Sequence, residues 1–457
     1  MASDPVKAQD ERADSAHGEL VEPLFKKVFP TSLSVSTPSF THKFVAHSMK
    51  LFLLCQYYPP EIGAPQARLS EMAGFWVSAG HEVTVLTGFP NHPKGVIPKE
   101  YRGLYFQEEK KDGVTIWRHW FYTTANEGFV KRTLSHLSFM MSCMVLSLFR
   151  GEKPDCIVVS SPTFFVVASA WIFSIFRRVP FIFEVRDLWP GIFIELGVLK
   201  NRFLIQILES FEMFFYRRSK HVVTVTEGFK QNIHQRGISE SKISVITNGV
   251  DLKRFHPGEM DWDFRKKWGI AHDTFVLLYA GAHGISQDLD KVLDAAKLLQ
   301  EMEPRAFFLF VGEGSEKARL MERASAEKIK NTLFLGGQPR ETMPRIYRMA
   351  NLCLVSLKNI SGFRAFIPSK MFEIMACGKP ILAALEGESA LILNRSGGAV
   401  VTTPGDPSIL AERISELMKT PERLKTMGEN ARVFVSAHYD RDTLAKKYLE
   451  VIEKKLR

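Results

Sequence analysis

Short uninterrupted runs of apolar residues, each closed by Gly, Pro or Asp, recur along the chain from residue 51 onward. The first series is Leu51–Cys55, Val83–Leu86, Cys156–Val159, Phe181–Val185, Val222–Val225 and Ile243–Ile246. A second follows at Phe275–Tyr279, Phe307–Val311, Leu333–Leu335, Leu352–Ser356, Ile381–Ala384 and Ala399–Val401. The runs are continuous and rich in β-branched and aromatic residues, the pattern of parallel strands covered on both faces. Helical periodicity lies between them, as at Leu289–Gln300, Lys317–Ala326 and Ser408–Met418. Two such βα series of similar length, joined near Asn248–Pro257, predict an α/β fold of two doubly wound Rossmann-like domains facing across a cleft. The boundaries expected are 49–250 for the N-terminal domain and 251–435 for the C-terminal domain. Residues 436–457 form a C-terminal helix for which packing back on the N-terminal domain is the expectation.

Residues 1–48 show no sustained period and no charged segment leading into an apolar one, so they are not a secretory signal. They are expected to be a disordered leader or an extended start, because Met49 is followed at once by a buried-strand pattern. Two uncharged windows raise the question of a membrane. In 156–176, Ser160-Ser161-Pro162 cuts the run and leaves Thr163–Phe176, only 14 residues, where a span needs ~20. Strand, loop and helix are expected there. Residues 133–149, flanked by Lys131-Arg132 and Arg150, suit a helix that is mostly buried or lies in a membrane interface.

Composition narrows the class. At ~150 residues per domain, 457 residues accommodate two large domains and something extra. With 45% hydrophobic and 24% charged residues the chain is globular. Five cysteines without CxxC spacing argue against a disulfide framework or zinc site and for a reducing compartment. The net charge of +10 belongs to the folded body, since residues 1–48 hold 6 acids against 5 bases. Residues 131–220 alone carry 12 bases against 7 acids, amid many Phe, Met and Trp. Anionic partners are expected, and on charge alone nucleic acid, a phosphate-rich ligand and an anionic membrane all stay open. Interleaving of the bases with bulky aliphatics, rather than grouping on a polar face, speaks against nucleic acid.

The most informative segment is Phe366-Ile-Pro-Ser-Lys-Met-Phe-Glu-Ile-Met-Ala-Cys-Gly-Lys-Pro-Ile-Leu382. Ser369 is placed to N-cap a short helix whose free N–H groups could receive a diphosphate, with Glu373 one turn in to accept from ribose hydroxyls. An ordinary capped helix explains the same residues equally well. The surroundings favour a nucleotide: Ile246-Thr-Asn-Gly-Val-Asp251, Tyr279-Ala-Gly-Ala-His-Gly284, Val311-Gly-Glu-Gly314 and Leu335-Gly-Gly-Gln338 each put glycine after a strand, where a parallel sheet opens onto its cleft.

Taken together, these motifs resemble those of retaining glycosyltransferases of family 4, which have the two-domain GT-B fold, over about residues 49–457. Tyr57-Tyr-Pro-Pro-Glu-Ile-Gly63 and Glu184-Val-Arg-Asp-Leu-Trp-Pro190 resemble most a branch named for L-fucosamine transfer in O-antigen and capsule assembly. The resemblance implies that Glu373 holds the ribose and that Ser369, Lys370 and Met371 approach the diphosphate. It places Gly281 beside the phosphates, Gly337 and Gln338 at the base, and Gly63 with Ala64 in the cleft-lining loop of the first domain. Three features depart from the family. Ala365 stands where its earlier glutamate would fall, the usual N-domain histidine is replaced near Ser160-Ser161-Pro162, and only His283 and Lys291 remain as cations near Gly281–Asp290.

Asp187 follows a strand, adjoins Arg186 and precedes Trp189-Pro190, so its carboxylate is expected near the cleft mouth, orienting or deprotonating the acceptor hydroxyl. Arg186 would lower its pKa or bind phosphate; a structural ion pair or cap is the alternative role. Glu61 and His119 are weaker candidates. The activity expected is transfer from a nucleotide-sugar donor, UDP-linked with an N-acetylated deoxyhexosamine as a candidate sugar, to a polyprenyl-diphosphate-linked glycan. No Asp-x-Asp stands at a strand end, so no metal and no further cofactor is expected. The expected location is cytoplasmic, peripheral on the inner face of an anionic membrane. A non-catalytic nucleotide-binding protein of the same fold, suggested by Ala365, and a sugar-nucleotide epimerase are the alternatives.

Overall fold

The computed structural model describes residues 48–91, 95–123, 129–148, 150, 153–161, 165–195, 197 and 199–457. The leader, apart from Ser48, lies outside them, as do Phe149, Thr163 and Phe164. The first sheet comprises β1 (Lys50–Leu54), β2 (Glu82–Gly88), β3 (Phe106–Lys111), β4 (Val114–His119), β5 (Cys156–Ser160), β6 (Phe181–Val185), β7 (His221–Thr224) and β8 (Ile243–Val245). Their order is β3-β4-β2-β1-β5-β6-β7-β8, all parallel except β3 on β4. The second sheet comprises β9 (Phe275–Ala280), β10 (Ala306–Val311), β11 (Thr332–Leu335), β12 (Leu352–Ser356), β13 (Ile381–Ala384) and β14 (Ala399–Thr402). It runs β11-β10-β9-β12-β13-β14, wholly parallel.

Strand order reverses at β1 in the first sheet and at β9 in the second, and the crevices outside the carboxyl ends of β1/β5 and β9/β12 are where such sheets take ligands. Continuous apolar runs explain the parallel strands, since Leu51, Leu53, Ile182 and Val223 on one face and Phe52, Ile157, Phe183 and Val222 on the other are all buried. The β3–β4 hairpin had no place among the expected strands. Its edge strand, Phe-Gln-Glu-Glu-Lys-Lys, has no buried residue, is exposed at half its positions and shows no apolar run.

Helices of the first domain are α1 (Ala64–Ser78), α2 (Phe129–Leu148), α3 (Val166–Arg177), α4 (Gly191–Glu195), α5 (Arg202–Arg218) and α6 (Glu227–Gln235). Those of the second are α7 (Trp262–Lys267), α8 (Leu289–Met302), α9 (Lys317–Ala326), α10 (Met343–Arg348), α11 (Lys370–Ala376), α12 (Glu388–Ser396), α13 (Pro407–Met418) and α14 (Pro421–His438). The boundary expected at 435/436 falls inside α14, and the chain crosses back at Tyr439–Asp440, where Asp440 bridges Val250. The last helix, α15 (Arg441–Leu456), then lies against α1: Trp76 Nε1 donates to the Ala445 carbonyl at 3.1 Å and its ring meets Tyr448 edge-on. Leu444, Tyr448 and Ile452 thereby join the core of the first domain.

The window 156–176 holds β5 and most of α3, and no helix among the described residues is long and apolar enough to cross a membrane. All five cysteines are buried and free. On α5 the aromatic run ahead of Arg217 and Arg218 is divided: Phe215 and Tyr216 are core residues on the inward side of the helix, whereas the half-buried Phe214 packs edge-on against Trp171 and has the Arg218 guanidinium 5.4 Å from its ring centre. The outward side carries Phe203 and Phe211, eight residues apart and 72% and 52% exposed.

Candidate active site

Gly281 leaves β9 with φ +148°, and a Cβ at that position would come within 2.7 Å of Lys370 Nζ. Glycine therefore lets the lysine from the start of α11 lie across the strand end. Lys370 Nζ donates to Gln287 Oε1 at 3.0 Å and sits 3.9 Å from the centre of the Tyr279 ring. Ser356 Oγ, at the end of β12, donates to the Gln287 carbonyl, so the lysine is fixed to both strands that flank the crevice. Burial brings its ammonium down to about 7, with Glu373 pulling the other way. An anion arriving here would restore the charge.

Glu373 lies one turn along α11. Its Oε1 accepts from Arg340 Nη1 at 2.8 Å and its Oε2 from the Tyr347 hydroxyl at 3.1 Å. Gly337 donates its N–H to Glu313 Oε1 at 3.0 Å, a carboxylate that Lys317 also holds, and Gln338 Nε2 donates to the Gly336 carbonyl at 3.1 Å. Gly281, Lys370 and Glu373 thus converge, with Gly337 and Gln338 in the loop that also carries Arg340.

Three expectations in this domain are corrected. Ser369 has helical angles, φ −61° and ψ −27°, and makes no capping bond, because a capping hydroxyl needs an extended backbone. Met371 is buried and donates its N–H to the Pro368 carbonyl, so that group is not free for a phosphate. His283 is fully buried among Tyr279, Phe310 and Phe334, and burial lowers its imidazole to about 4, which makes it a neutral packing residue. Lys291 pairs with Asp294 along α8. The cation beside Gly281 is Lys370.

The two domains touch around this site. Arg340 Nη2 donates to Glu71 Oε1 on α1 at 2.7 Å, and Arg441 Nη1 approaches Glu71 Oε2 at 3.1 Å. Glu388, at the start of α12, accepts the N–H groups of Glu227 and Gly228 at 3.0 Å each. Burial raises its carboxyl to about 7 against the pull of those donors. Glu195 accepts from the Gly362 N–H, and Ala365 packs against Gly228. Of these residues only Ala365 stands out in the sequence, as the position of the family's earlier glutamate; the signal that could have found Arg340 is its place beside Gly337-Gln338.

In the first domain Asp187 is half-buried just past β6 and lines an interdomain cavity of about 160 Å³ with Glu195, Phe229, Arg236, Phe363 and Phe366. Burial raises its carboxyl to about 6, and Arg186, expected to hold it low, opposes this only in part. No ion pair joins the two side chains among the described residues. Gly63 precedes α1 with extended backbone, φ 170°. Glu61 Oε1 accepts the Asn91 N–H at 2.9 Å. His119 is buried between the Thr87 carbonyl and Ser147 Oγ, and burial lowers it to about 4, a core residue. Among the described residues no cluster of three or more His, Cys, Asp or Glu is gathered for a metal.

Residues 63–249 match the glycosyl transferase 4-like domain and residues 260–434 match glycosyl transferases group 1. The Escherichia coli (strain K12) protein named "Putative colanic acid biosynthesis glycosyl transferase WcaI" is 25% identical over 413 residues, 88% of this chain and all of that one. The lipopolysaccharide 1,2-N-acetylglucosaminetransferase of Salmonella typhimurium is 24% identical over 237 residues, 51% of this chain and 61% of its own length. Anabaena Alr3699/HepE, solved with UDP and glucose, superposes with a TM-score of 0.67 at 17% identity over 89% of this chain and 100% of that one. The two domain matches, one on each side of the cleft, together span most of the chain, which belongs to the glycosyltransferases of GT-B fold.

Proposed function

We propose that the protein transfers a sugar, with retention of configuration, from a UDP-linked donor to a hydroxyl of a polyprenyl-diphosphate-linked glycan in O-antigen or capsule synthesis. The observation that carries this reading is the convergence of Gly281, Lys370 and Glu373 at the β9/β12 crevice. UDP gains negative charge as it leaves, and Lys370, poised near 7, supplies a proton or a positive charge where that charge develops. Glu373, oriented by Arg340 and Tyr347, receives the ribose hydroxyls. Asp187 on the opposite wall orients the acceptor hydroxyl and takes its proton. The relatives named for colanic acid and lipopolysaccharide support the polysaccharide class, and an N-acetylated deoxyhexosamine is the sugar favoured. Neither a metal nor nucleic acid has a part in the reaction so read.

Attachment to an anionic membrane from the cytoplasmic side belongs to the same reading. Helices α2, α3 and α5 pack in one layer, and their outer surface carries Met141, Val145, Phe176, Phe203 and Phe211, all exposed, in the stretch with the basic excess.

Calorimetric titration with UDP tests the site. Saturable binding that weakens by ~10-fold or more in Glu373→Ala is expected. A parent protein that does not bind UDP would overturn the reading. Ala365, in place of the family's earlier glutamate, favours a second reading, a nucleotide-binding protein without turnover, which binds UDP equally well and forms no product.

A further inference from the structure

Arg186 is the first residue beyond β6, at the carboxyl edge of the first sheet, and is only 8% exposed. Its backbone N–H donates to Ser161 Oγ at 2.8 Å, beyond the end of β5, which fixes it beside the β1/β5 switch point. Its guanidinium is another matter. Nε and Nη1 are buried without a hydrogen-bond partner, and no ion pair reaches the group among the described residues.

No neighbouring carboxylate among the described residues is hydrogen-bonded to it. Glu184 is engaged elsewhere, taking Arg68 Nε at 3.1 Å and Nη2 at 2.9 Å on Oε1 and Ser160 Oγ at 2.6 Å on Oε2. Glu184 and Asp187 favour the Arg186 charge only through space, while the Arg68 charge opposes it. Asp187 faces the interdomain cavity instead. A buried cation without a partner is costly, because the water it gave up has not been replaced. A planar guanidinium in that condition fits an oxyanion that presents two adjacent oxygens, such as a phosphoryl or carboxylate group.

We propose that Arg186 receives an anionic group of the acceptor, phosphoryl or carboxylate, held beside the hydroxyl that Asp187 orients. This rests on the transferase reading. The donor diphosphate has its own cation, Lys370, on the other domain, which is why the anion at Arg186 is assigned to the acceptor.

Inorganic pyrophosphate, titrated into the full-length protein already saturated with UDP, is the probe. The parent is expected to bind it, and Arg186→Gln to lose that binding by roughly tenfold or more while keeping its affinity for UDP. Arg186→Lys, which keeps charge but not the fork, should retain part of it. Thermal melting without ligand gives an independent readout: removing an unpaired buried charge should leave Tm unchanged or raised. Pyrophosphate binding in the glutamine variant equal to the parent's would overturn the proposal, as would a marked fall in its Tm, which would make Arg186 structural. Loss of pyrophosphate binding in the parent once UDP is present would assign the anion to the donor and overturn it as well. Failure of UDP itself to bind is a separate result, which removes the transferase reading.

Discussion

Arg340 Nη1 donates to Glu373 Oε1 at 2.8 Å while its Nη2 reaches Glu71 Oε1 at 2.7 Å, so one guanidinium ties the carboxylate assigned to the ribose to helix α1 of the opposite domain. Removal of Glu373 should therefore be felt twice. Glu373→Ala is expected to lower kcat/KM for the donor by at least ~10-fold, the worth of a charge-assisted hydrogen bond, and to lower stability by ~1–3 kcal/mol because Arg340 and Tyr347 lose their acceptor. Glu373→Gln separates the effects. Its amide oxygen keeps the bond from Arg340 while its NH2 donates to the Tyr347 hydroxyl oxygen, reversing that bond, so melting should fall less than in the alanine variant while donor use still falls. Donor kinetics like the parent's in both variants would show that the ribose lies elsewhere.

Lys370 makes nucleotide binding proton-linked. With its ammonium brought down to about 7 by burial, the free protein at about pH 8 carries it mostly neutral, and a diphosphate alongside raises its pKa again. UDP binding should take up close to one proton at about pH 8 and little at about pH 6. Calorimetry in two buffers of different ionisation enthalpy measures the uptake directly. It should vanish in Lys370→Met; equal uptake in parent and variant would place the lysine away from the phosphates.

Asp187, raised to about 6, must be ionised to accept a proton, so kcat should fall about tenfold per pH unit on the acid side of that value. Asp187→Asn should reduce kcat by ~10²-fold or more and flatten the acid limb. Stability runs in the opposite sense. A carboxyl with a raised folded pKa contributes stability that is present below its ordinary value and lost as pH rises through about 6. The asparagine variant should accordingly melt no lower than the parent at neutral pH. An active variant with a depressed Tm would mark Asp187 as structural.

Binding to vesicles should be reversible and salt-sensitive. Each base near an anionic surface contributes ~1 kcal/mol, and Phe176 and Phe203, 71% and 72% exposed, add apolar area. In flotation the protein is expected to rise with anionic liposomes at low salt, to detach at high salt, and to bind more weakly as the Phe176→Ser, Phe203→Ser double variant. Absence of binding to anionic vesicles at low salt would remove the membrane from the account.

The parallel strands were legible because both their faces are buried, so each is written as an unbroken apolar run. The β3–β4 hairpin was not, since its outer strand is half-solvated; its signal was Asp112-Gly113, both at positive φ, a turn dipeptide that joins antiparallel strands. The second domain's site was legible where its residues are close in sequence, as in Ser369–Glu373. Its cross-cleft partners were not. Glu71 and Arg340 are separated by 269 positions, and nothing in the pattern of α1 sets Glu71 apart from a solvated carboxylate. The state of Asp187 was misjudged for a related reason, as adjacency to Arg186 in sequence does not bring the two charged ends together, and burial decides.

Product formation is the most direct test of the account. The full-length protein would be incubated with a panel of UDP-sugars and lipid-linked glycans extracted from membranes, and the lipid-linked pool read by mass spectrometry. The account predicts that one donor extends one glycan by a single sugar residue, with stoichiometric release of UDP. Tight binding of UDP with neither transfer nor donor hydrolysis across the panel would contradict it.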